Sequence, residues 1–598
     1  MAASADNKAL ARLFSRMSRI LDLKGENPFK AIAFFKVKDV LENMPQDIRG
    51  IHREGGRKAV EKINGIGGSS AKIICDWLET GASPDYDELT TSVPEGLVDM
   101  LGVPGLGPKT VRMLWQERNI TTIDQLSATI ADGTLDGLRG IGKKKIEQIQ
   151  QGIAAREVSS QRRTLGHAVR AAADIQQQLA ELNGVDKVQL CGSVRRCRET
   201  IGDLDFVVTT KKGTAAPAVL EQFSQFPQFD RVLGLGDTKC SAVTHEGLQV
   251  DCRVVPPASF GAAVMYFTGS KQHNIRLRSI AQNKGHTLNE WGLYEAKAFD
   301  AAVRKPGEVP TVKPVAGATE EEIYKWFGME YIPPELREDQ GEIEAAMKGE
   351  LPKLVTLADY RGDLHTHSSA SDGIASIEEM AEAAKALGYK FLAITDHSKT
   401  QTQASGLDEQ RLMKHIEAIR TANERISGIE ILAGSEVDIL ADGRLDYDDA
   451  VLAELDWVVA SPHVALRQEP DKATARILRA IENRYVNVIG HPTGRIVNGR
   501  PGLPLDFPAI FKAAAETGTA LEINANYARL DLADVHARGA IEAGCLLAVN
   551  TDAHSTVELS AQLAGGMGVA RRAWTTKKDI VNCMTVAQLR KFAAQKRK

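Results

Sequence analysis

The sequence predicts a multidomain α+β protein with three successive kinds of region. The first 150 or so residues contain short apolar-periodic segments broken by glycine, which is typical of small helical modules. From about residue 185 the pattern changes to β-branched runs of strand length, which predicts a mixed sheet. From residue 361 onward strands and amphipathic helices alternate, and this alternation predicts a parallel α/β architecture.

Composition supports several soluble domains and limits the classes of partner. The chain has 598 residues, 43% of them hydrophobic and 25% charged, and no apolar run is long enough to span a membrane. Its seven cysteines are scattered singly, which argues against a disulfide scaffold and favours the reducing cytoplasm. The formal net charge is −4, so any affinity for nucleic acid must come from local patches.

Three glycine-apolar-glycine turns punctuate the N-terminal region. Such a turn at the start of a helix exposes backbone N–H groups that can hold a DNA phosphate without reading sequence. One copy would be explained equally well as a helix cap, but three copies favour DNA binding. The stretches resemble helix-hairpin-helix motifs, and the resemblance implies DNA contacts at Gly65, Gly67, Gly105, Gly107, Lys109, Gly140, Gly142 and Lys143.

Three acidic residues lie on two predicted strands of the second region. Asp203 and Asp205 are separated by one residue, so their carboxylates point to one face, and Asp251 lies on the strand LQVDCRVV. Convergent carboxylates are costly to bury unless divalent cations neutralise them, and Mg²⁺ suits such oxygen ligands. A solvated strand face would explain the pair alone. The upstream GSVRR segment (192–196), a natural site for a polyphosphate, favours two-metal phosphoryl transfer.

This set resembles the nucleotidyltransferase palm of the family X DNA polymerases, the family of DNA polymerase beta. The resemblance continues at YFTGS (266–270) and at KGHTLNE (284–290), which is similar to that family's thumb, and it covers roughly residues 1–340. It implies a DNA polymerase that fills short gaps during DNA repair, base excision repair included. The implied partners are gapped or primer-template DNA and dNTPs, and the implied cofactor is Mg²⁺ or Mn²⁺.

The resemblance also implies roles for individual residues. Asp203, Asp205 and Asp251 would be the catalytic metal ligands, with Arg253 beside them. Ser193 and Arg196 would hold the β- and γ-phosphates. The full set of implied nucleotide-binding residues is Gly192, Ser193, Arg196, Tyr266, Phe267, Gly269, Asn274 and Arg276. For Tyr266 and Phe267, a place in the hydrophobic core is the alternative interpretation.

One catalytic feature of the polymerase beta family is out of register. The position of that family's lyase lysine falls on Ile73, and Lys72 is one residue away. Because one residue turns a helix by about 100°, Lys72 would face elsewhere. We therefore expect weak or absent 5′-deoxyribose phosphate lyase activity.

Histidines and acids form short clusters in the third region. Eight of the 13 histidines lie beyond residue 360, and most clusters follow an apolar strand, such as KFLAIT before Asp396 and WVVAS before His463. With ALEINA there are seven candidate strands. Ligands at the carboxyl ends of successive parallel strands are what a βα-barrel site needs. One such histidine would more often be structural, but the series favours a metal site, and the mixed donors suit Zn²⁺, Mn²⁺ or Fe²⁺.

These clusters resemble the polymerase-and-histidinol-phosphatase (PHP) family over roughly residues 361–575, which implies a distorted (β/α)7 barrel. The family's site for up to three metal ions can be matched at all nine positions, namely His365, His367, Asp372, His397, Glu436, His463, His491, Asp552 and His554. The resemblance implies a metal-dependent 3′→5′ exonuclease or a phosphoesterase for 3′ ends or abasic sites. Asp363 and Asp396, which flank ligands, are expected to orient imidazoles.

The combination resembles the bacterial and archaeal family X polymerases, and three hypotheses remain. The first is a bifunctional monomeric enzyme, the second a polymerase whose PHP domain binds metal only for stability, and the third a small-metabolite phosphatase with a DNA-tethering N-terminal half. The expected domains are a helical DNA-binding domain (1–85), fingers (90–158), palm (159–258), thumb (259–338), a linker (339–360) and the PHP domain (361–598).

Overall fold

The computed structural model of the chain divides into two compact units, Met1–Gln161 and Arg162–Lys598. It describes residues 5–25, 28–44, 46–101, 103, 106–132, 134–135, 142, 145–146, 149–150, 153, 162–302 and 309–597. The predicted fold class is confirmed, because helical modules precede a mixed sheet and a parallel barrel. The finer domain bounds given above stay predictions.

The first unit is helical throughout its described residues. Its helices are α1 (Ala5–Lys24), α2 (Pro28–Asn43), α3 (Ile48–Glu61), α4 (Gly68–Thr80), α5 (Pro84–Thr91), α6 (Glu95–Met100), α7 (Pro108–Arg118) and α8 (Ile123–Ala131). They enclose two hydrophobic clusters. Phe14, Phe34 and Ile74 belong to the first cluster, and Leu97, Val111 and Leu126 belong to the second.

The second unit begins with a five-stranded mixed sheet. Its strands are β2 (Val185–Leu190), β4 (Asp203–Thr210), β5 (Phe229–Leu235), β6 (Lys239–Thr244) and β7 (Gln249–Val254), in the order β2-β4-β7-β6-β5. Only β4 and β7 run parallel to each other. A short antiparallel pair joins β1 (Arg163–Thr164) to β3 (Thr200–Ile201). The helices of this region are α9 (Leu165–Glu181), α10 (Gly192–Arg195) and α11 (Ala216–Ser224).

A helical region with one hairpin follows the mixed sheet. It contains α12 (Phe260–Thr268), α13 (Lys271–Asn283), the hairpin of β8 (His286–Asn289) and β9 (Gly292–Glu295), α14 (Ala296–Ala302), α15 (Glu320–Phe327) and α16 (Glu342–Lys348). Helix α16 lies within the segment predicted as a linker. That segment is packed, because Glu342 is fully buried and its carboxylate lies 2.7 Å from His273 Nδ1.

The last region is a seven-stranded parallel barrel. Its strands pair in sequence order: β10 (Gly362–Thr366), β11 (Phe391–Ile394), β12 (Glu430–Asp438), β13 (Trp457–Ser461), β14 (Val488–Ile489), β15 (Ala520–Asn524) and β16 (Leu547–Asn550). A parallel bridge between Thr366 and Ala553 closes the circle. Continuous apolar runs form these strands because both faces of a parallel sheet are covered.

Helices surround the barrel. They are α17 (Ile377–Ala386), α18 (Glu409–Arg425), α19 (Asp449–Leu452), α20 (Pro470–Glu482), α21 (Phe507–Thr517), α22 (Asp534–Glu542), α23 (Glu558–Ala561), α24 (Leu563–Arg572) and α25 (Val586–Gln595). Among the described residues no helix is long and apolar enough to cross a membrane.

The barrel packs directly on the loop that follows strand β2. Arg572, at the end of α24 and 3% exposed, donates to the carbonyl oxygen of Arg196 at 2.8 Å and to Glu338 Oε1 at 2.9 Å. Arg495 of the barrel forms a 2.8 Å ion pair with Glu199. The 192–199 loop is therefore held at two points by arginines from the barrel.

Candidate catalytic and DNA-binding sites

Strand pairing brings together the three aspartates of the mixed sheet. Strands β4 and β7 are parallel neighbours, and Asp205 lies directly opposite Asp251 in their register. Asp203 precedes Asp205 by two residues, so its side chain lies on the same face. Gly192 permits this packing, because a Cβ atom there would lie 2.8 Å from Asp205 Oδ2. Its φ of +67° also favours glycine.

The electrostatics of this acidic face fit a cation site. Burial, together with the charges of Asp203 and Asp251, raises the pKa of Asp205 to about 7. Burial and the charge of Asp251 also raise the pKa of Asp203. Lys239 Nζ lies 3.0 Å from Asp251 Oδ2 and partly offsets the negative charge. Sequence analysis missed Lys239, because nothing in its local pattern distinguishes it from a surface lysine.

The two arginines after Gly192 and Ser193 are bound to carboxylates. Arg195 forms a bidentate pair with Glu320, with N···O distances of 3.0 and 2.7 Å. Arg196 Nε donates to Glu338 at 3.1 Å, and its guanidinium also donates to the carbonyl oxygen of Thr268. Ser193 lies half-buried at the start of α10. Phosphate contacts of Ser193 and Arg196 stay predictions.

The YFTGS segment lies beside the same loop. The rings of Tyr266 and Phe267 meet edge to face with centroids 5.1 Å apart, and Tyr266 is 36% exposed. The Arg253 guanidinium lies over the Phe267 ring at 4.8 Å. Gly269 has a φ of +73°, and a Cβ atom there would lie 3.0 Å from a guanidinium nitrogen of Arg196. The partly exposed Tyr266 ring is therefore accessible to a ligand.

Asn274 and Arg276 lie on helix α13. The Asn274 side-chain amide donates to the carbonyl oxygen of Tyr266 at 2.7 Å. Arg276 is exposed and pairs with Glu344 on α16. Asn274 therefore contacts the YFTGS segment, whereas the structure turns Arg276 towards an acidic partner on a neighbouring helix.

All nine predicted metal-binding residues meet at the carboxyl ends of the barrel strands. Glu436 is the centre of the cluster, with imidazole nitrogens of five histidines between 2.8 and 3.7 Å from its carboxylate oxygens, namely His365, His367, His397, His463 and His491. The closing strand places Asp552 Oδ1 3.1 Å from His367 Nε2. Asp372 lies 3.4 Å from His554 Nε2 and 3.5 Å from His397 Nε2.

Three overlapping groups in this cluster could each hold a metal ion. The ligand atoms within each group all lie within 4.8 Å of one another. The groups are His365 with His367 and Asp552, then His367 with Asp372, His397 and His554, then His397 with Glu436 and His463. Among the described residues these are the only such groups, so the palm aspartates are more widely spaced.

Unpaired buried atoms in the cluster fit a set of cations. The fully or nearly buried atoms His365 Nε2, His367 Nδ1, His397 Nδ1, Glu436 Oε2 and His491 Nδ1 have no hydrogen-bond partner. His397 Nδ1 and Glu436 Oε2 are 2.8 Å apart but outside hydrogen-bond geometry. Unsatisfied buried donors and acceptors are costly unless a ligand completes them. Mixed imidazole and carboxylate donors are the set that Zn²⁺, Mn²⁺ and Fe²⁺ accept.

Two carboxylates that the sequence analysis missed orient the histidines. Glu522 Oε1 lies 2.8 Å from His365 Nδ1, and the Asp438 carboxylate contacts His463 Nδ1. Such contacts fix the tautomer and ring direction of a ligand. Glu522 lies in the segment ALEINA, where an acid inside an apolar strand was the available signal. Asp438 had the same signal, since it ends the buried strand β12.

The prediction that Asp363 and Asp396 orient imidazoles of the ligands is wrong. Asp363 accepts the Thr551 hydroxyl at 2.6 Å and backbone N–H groups. Asp396 accepts the backbone N–H and the hydroxyl of Ser368, at 2.9 and 2.6 Å. Both carboxylates therefore fix the turns that follow β10 and β16. Adjacent residues on a strand point to opposite faces, so a carboxylate beside a ligand cannot reach that ligand's ring.

The helix-hairpin-helix turns share one backbone conformation where the structure describes them. Gly67 caps α4 with φ −87° and ψ 168°, and Gly107 caps α7 with φ −87° and ψ 165°. Gly67, Gly107 and Gly142 are exposed, and a Cβ atom on any of them would meet nothing within 4 Å. The apolar residue between the glycines is buried, as Ile66 and Leu106 are each 4% exposed.

Other predicted DNA contacts are distributed around these turns. Gly65 is half-buried with a φ of +93°, which suits glycine, and Lys109 is exposed on the first turn of α7. Gly105, Gly140 and Lys143 lie outside the described residues. Two of the turns therefore present open backbone to solvent in the way that a phosphate contact requires.

Comparisons with known proteins support these geometric findings. The chain matches a helix-hairpin-helix domain over residues 5–83 and a SAM-like helix-hairpin-helix tandem over 97–155. It matches the DNA polymerase beta thumb over 263–338 and the PHP domain over 363–526. A probable phosphatase of Thermoanaerobacter sp. (strain X514) is 30% identical over 247 residues, which is 40% of this chain and 95% of the phosphatase.

A second relative covers both chains almost completely. The protein described as DNA polymerase/3'-5' exonuclease PolX of Bacillus subtilis (strain 168) is 37% identical over 588 residues. The alignment spans 98% of this chain and 99% of that protein. The resemblance identified from the motifs is thereby confirmed, and this chain belongs to the PolX family of DNA polymerase/3'-5' exonucleases.

Proposed function

We propose that this chain is a bifunctional DNA repair enzyme that extends 3′ ends with dNTPs at the mixed sheet and shortens or cleans 3′ ends in the barrel. The observation that carries the proposal is the presence of two separate acidic centres in one unit. One centre is the face of Asp203, Asp205 and Asp251, and the other is the cluster around Glu436. Gapped or primer-template DNA is the proposed substrate, and a monomer is the proposed acting species.

The mixed-sheet centre fits nucleotidyl transfer. Mg²⁺ or Mn²⁺ bound by the three aspartates would neutralise the charge on the attacking and leaving oxygens. The raised pKa of Asp205 means that cation binding displaces a proton near neutral pH. The partly exposed ring of Tyr266 would contact the nucleotide sugar, and the 192–199 loop would contact its phosphates. The arginines of the barrel hold that loop in place.

The barrel centre fits hydrolysis of a phosphate ester. A cavity of about 310 Å³ opens onto the cluster, and its lining includes Asp372, His397, Arg529, Asp552 and His554. Mn²⁺, Zn²⁺ or Fe²⁺ bound there would activate water and stabilise the leaving oxygen. Arg529, whose Nε lies 3.6 Å from Asp552 Oδ2, would hold the substrate phosphate. His554 is partly exposed in this cavity and is placed to move a proton to or from solvent.

The test uses 5′-labelled DNA with a one-nucleotide gap and DNA with a 3′-recessed end. With Mn²⁺ and dNTPs we expect longer products, and with Mn²⁺ alone we expect stepwise shorter ones. A chelator should stop both reactions. Extension without any shortening would reject the barrel half of the proposal, and shortening without extension would reject the mixed-sheet half. Release of phosphate from small phosphomonoesters only, with DNA unchanged, would favour the metabolite phosphatase hypothesis.

The Gly107→Ala substitution should weaken DNA binding without affecting folding. The new methyl group meets nothing within the described structure at a φ that any residue adopts, so the free energy of unfolding should change by less than about 1 kcal/mol. A methyl group at the phosphate contact should remove one hydrogen bond, worth roughly a two- to tenfold loss of affinity. Fluorescence anisotropy with gapped DNA measures this loss. Gly50→Ala, also in open space on a helix, is the matched control, and an equal loss in both variants would contradict the prediction.

Substitution of Lys72 should leave lyase activity unchanged at a low level. Lys72 Nζ lies 2.5 Å from Asp85 and 3.3 Å from Asp76, and both carboxylates raise its pKa. Ile73, at the family's lysine position, is buried. A Schiff base needs a neutral amine, so Lys72 is poorly suited to form one. Borohydride trapping on an incised abasic end should give equally weak adducts with wild type and Lys72→Ala, and strong trapping that Lys72→Ala abolishes would contradict this expectation.

A further inference from the structure

A second cavity adjoins the metal cluster of the barrel. It has a volume of about 460 Å³ and is lined by His463, Ala465, Leu466, Arg467, Gln468 and Arg500. We call it the arginine cavity. His463 belongs to the metal cluster and also lines the 310 Å³ cavity above it, so the two cavities share this side chain as a wall. A ligand bound at the cluster can therefore continue into the arginine cavity.

The arginine cavity carries positive charge without a compensating acid. Its lining contains two arginines and no carboxylate. Within the described part of the chain, neither Arg467 nor Arg500 has a carboxylate within 4.0 Å, although most barrel arginines near the cluster do, such as Arg495 with Glu199 at 2.8 Å. Unpaired guanidinium groups beside a cleft attract anions.

The position of Arg500 is fixed before any ligand arrives. Its Nε and one terminal nitrogen both donate to the carbonyl oxygen of Gly494, at 3.1 and 2.7 Å. This contact orients the guanidinium but leaves its charge unneutralised. Burial and the nearby charge of Arg529 lower the pKa of Arg500, which indicates that these two cations lie close enough to repel each other. An anion between the metal cluster and Arg500 would relieve that repulsion.

The charge pattern distinguishes two classes of phosphate ester. A small phosphomonoester has one phosphate, which the metal cluster and Arg529 would hold. Such a ligand leaves Arg467 and Arg500 without a partner. A DNA strand carries further phosphates beyond the scissile one, and these are the anions that a row of arginines leading away from the cluster would bind.

We propose that the arginine cavity binds the backbone phosphates adjoining the scissile bond of a DNA strand, so that Arg467 and Arg500 give the barrel its preference for polynucleotides over small phosphate esters. This inference rests on the proposed hydrolytic function of the barrel. It adds the residues that select the substrate class. Arg467 and Arg500 act on binding and do not touch the metal cluster.

The experiment compares two substrates in the full-length protein. The substrates are a 5′-labelled single-stranded oligonucleotide and bis(p-nitrophenyl) phosphate, a small diester that reaches only the metal cluster. For Arg467→Gln/Arg500→Gln we expect the KM for the oligonucleotide to rise roughly tenfold or more, because two phosphate contacts are lost. The slope of log affinity against log salt should fall by about 2, one for each contact. The kcat/KM for the small diester should stay unchanged.

Two further variants keep the test decisive. Arg467→Gln alone removes an exposed side chain and should lower the salt slope by about 1. Arg444→Gln removes an exposed barrel arginine that pairs with Asp442, and it should change neither substrate.

An unchanged oligonucleotide KM and salt slope would overturn the inference while leaving the proposed function intact. Parallel loss of small-diester hydrolysis would also overturn it, because the arginines would then belong to the metal centre. A wild-type protein that hydrolyses neither substrate would reject the proposed barrel function and this inference with it.

Discussion

The Asp205→Asn substitution is expected to abolish extension of a primer while leaving its 3′ shortening unchanged. Asp205 lies opposite Asp251 in the β4–β7 register, and the amide removes one negative ligand from the cation site. Loss of several kcal/mol of charge stabilisation corresponds to roughly three orders of magnitude in rate. The measurement is single-nucleotide insertion into 5′-labelled gapped DNA, with shortening followed on the same DNA without dNTPs.

The stability of this variant separates a catalytic loss from unfolding. The pKa of Asp205 is raised to about 7, so its ionised form opposes folding, and stability that is present at low pH is lost as the pH rises towards 7. Without metal at pH 8, Asp205→Asn should therefore melt no lower than wild type. Asp230→Asn, an exposed aspartate on β5 of the same sheet, is the matched control and should extend DNA normally. Extension by Asp205→Asn at more than about a tenth of the wild-type rate would exclude Asp205 as a metal ligand.

The Glu436→Gln substitution should give the opposite result. Five imidazoles contact the Glu436 carboxylate, and these histidines hold its pKa well below the ordinary value against the effect of burial. A neutral amide cannot bridge cations, so 3′ shortening should fall by roughly three orders of magnitude. Extension should be retained, because the aspartates of the mixed sheet are untouched. Purified Glu436→Gln should also contain less bound metal, which elemental analysis measures.

His536→Gln is the control for this second substitution. His536 lies on the outer helix α22, where its ring stacks on Phe507 at 3.6 Å, and it has no place in the metal cluster. This variant should shorten DNA and bind metal as wild type does. If Glu436→Gln still shortens DNA while the bound metal is lost, the nuclease lies elsewhere and the barrel has a structural role.

The two centres are physically linked through the 192–199 loop. Arg572 contacts both the carbonyl oxygen of Arg196 and the carboxylate of Glu338, and Arg495 contacts Glu199. Arg495 lies four residues after His491 in the same loop of the barrel. A change in the metal cluster can therefore reach the loop that is proposed to bind the nucleotide phosphates.

The sequence by itself determined the three regions, the metal-binding set and the chemistry. Strand ends are readable because an apolar run followed by His, Asp or Glu changes composition sharply, as at Asp396 and His463. Parallel strands bring their carboxyl ends to one edge, so the nine residues were expected to meet. The Asp203 and Asp205 pair was readable for a similar reason, since alternate residues of one strand share a face.

Only the tertiary structure decided which groups support these residues. Glu522 and Asp438 orient His365 and His463 across 157 and 25 residues of sequence, and Lys239 meets Asp251 by antiparallel pairing. The arginine cavity likewise depends on two loops, one before α20 and one after β14. Such contacts depend on packing between elements that are distant in sequence. Local periodicity records which face a residue occupies but not which partner lies opposite that face.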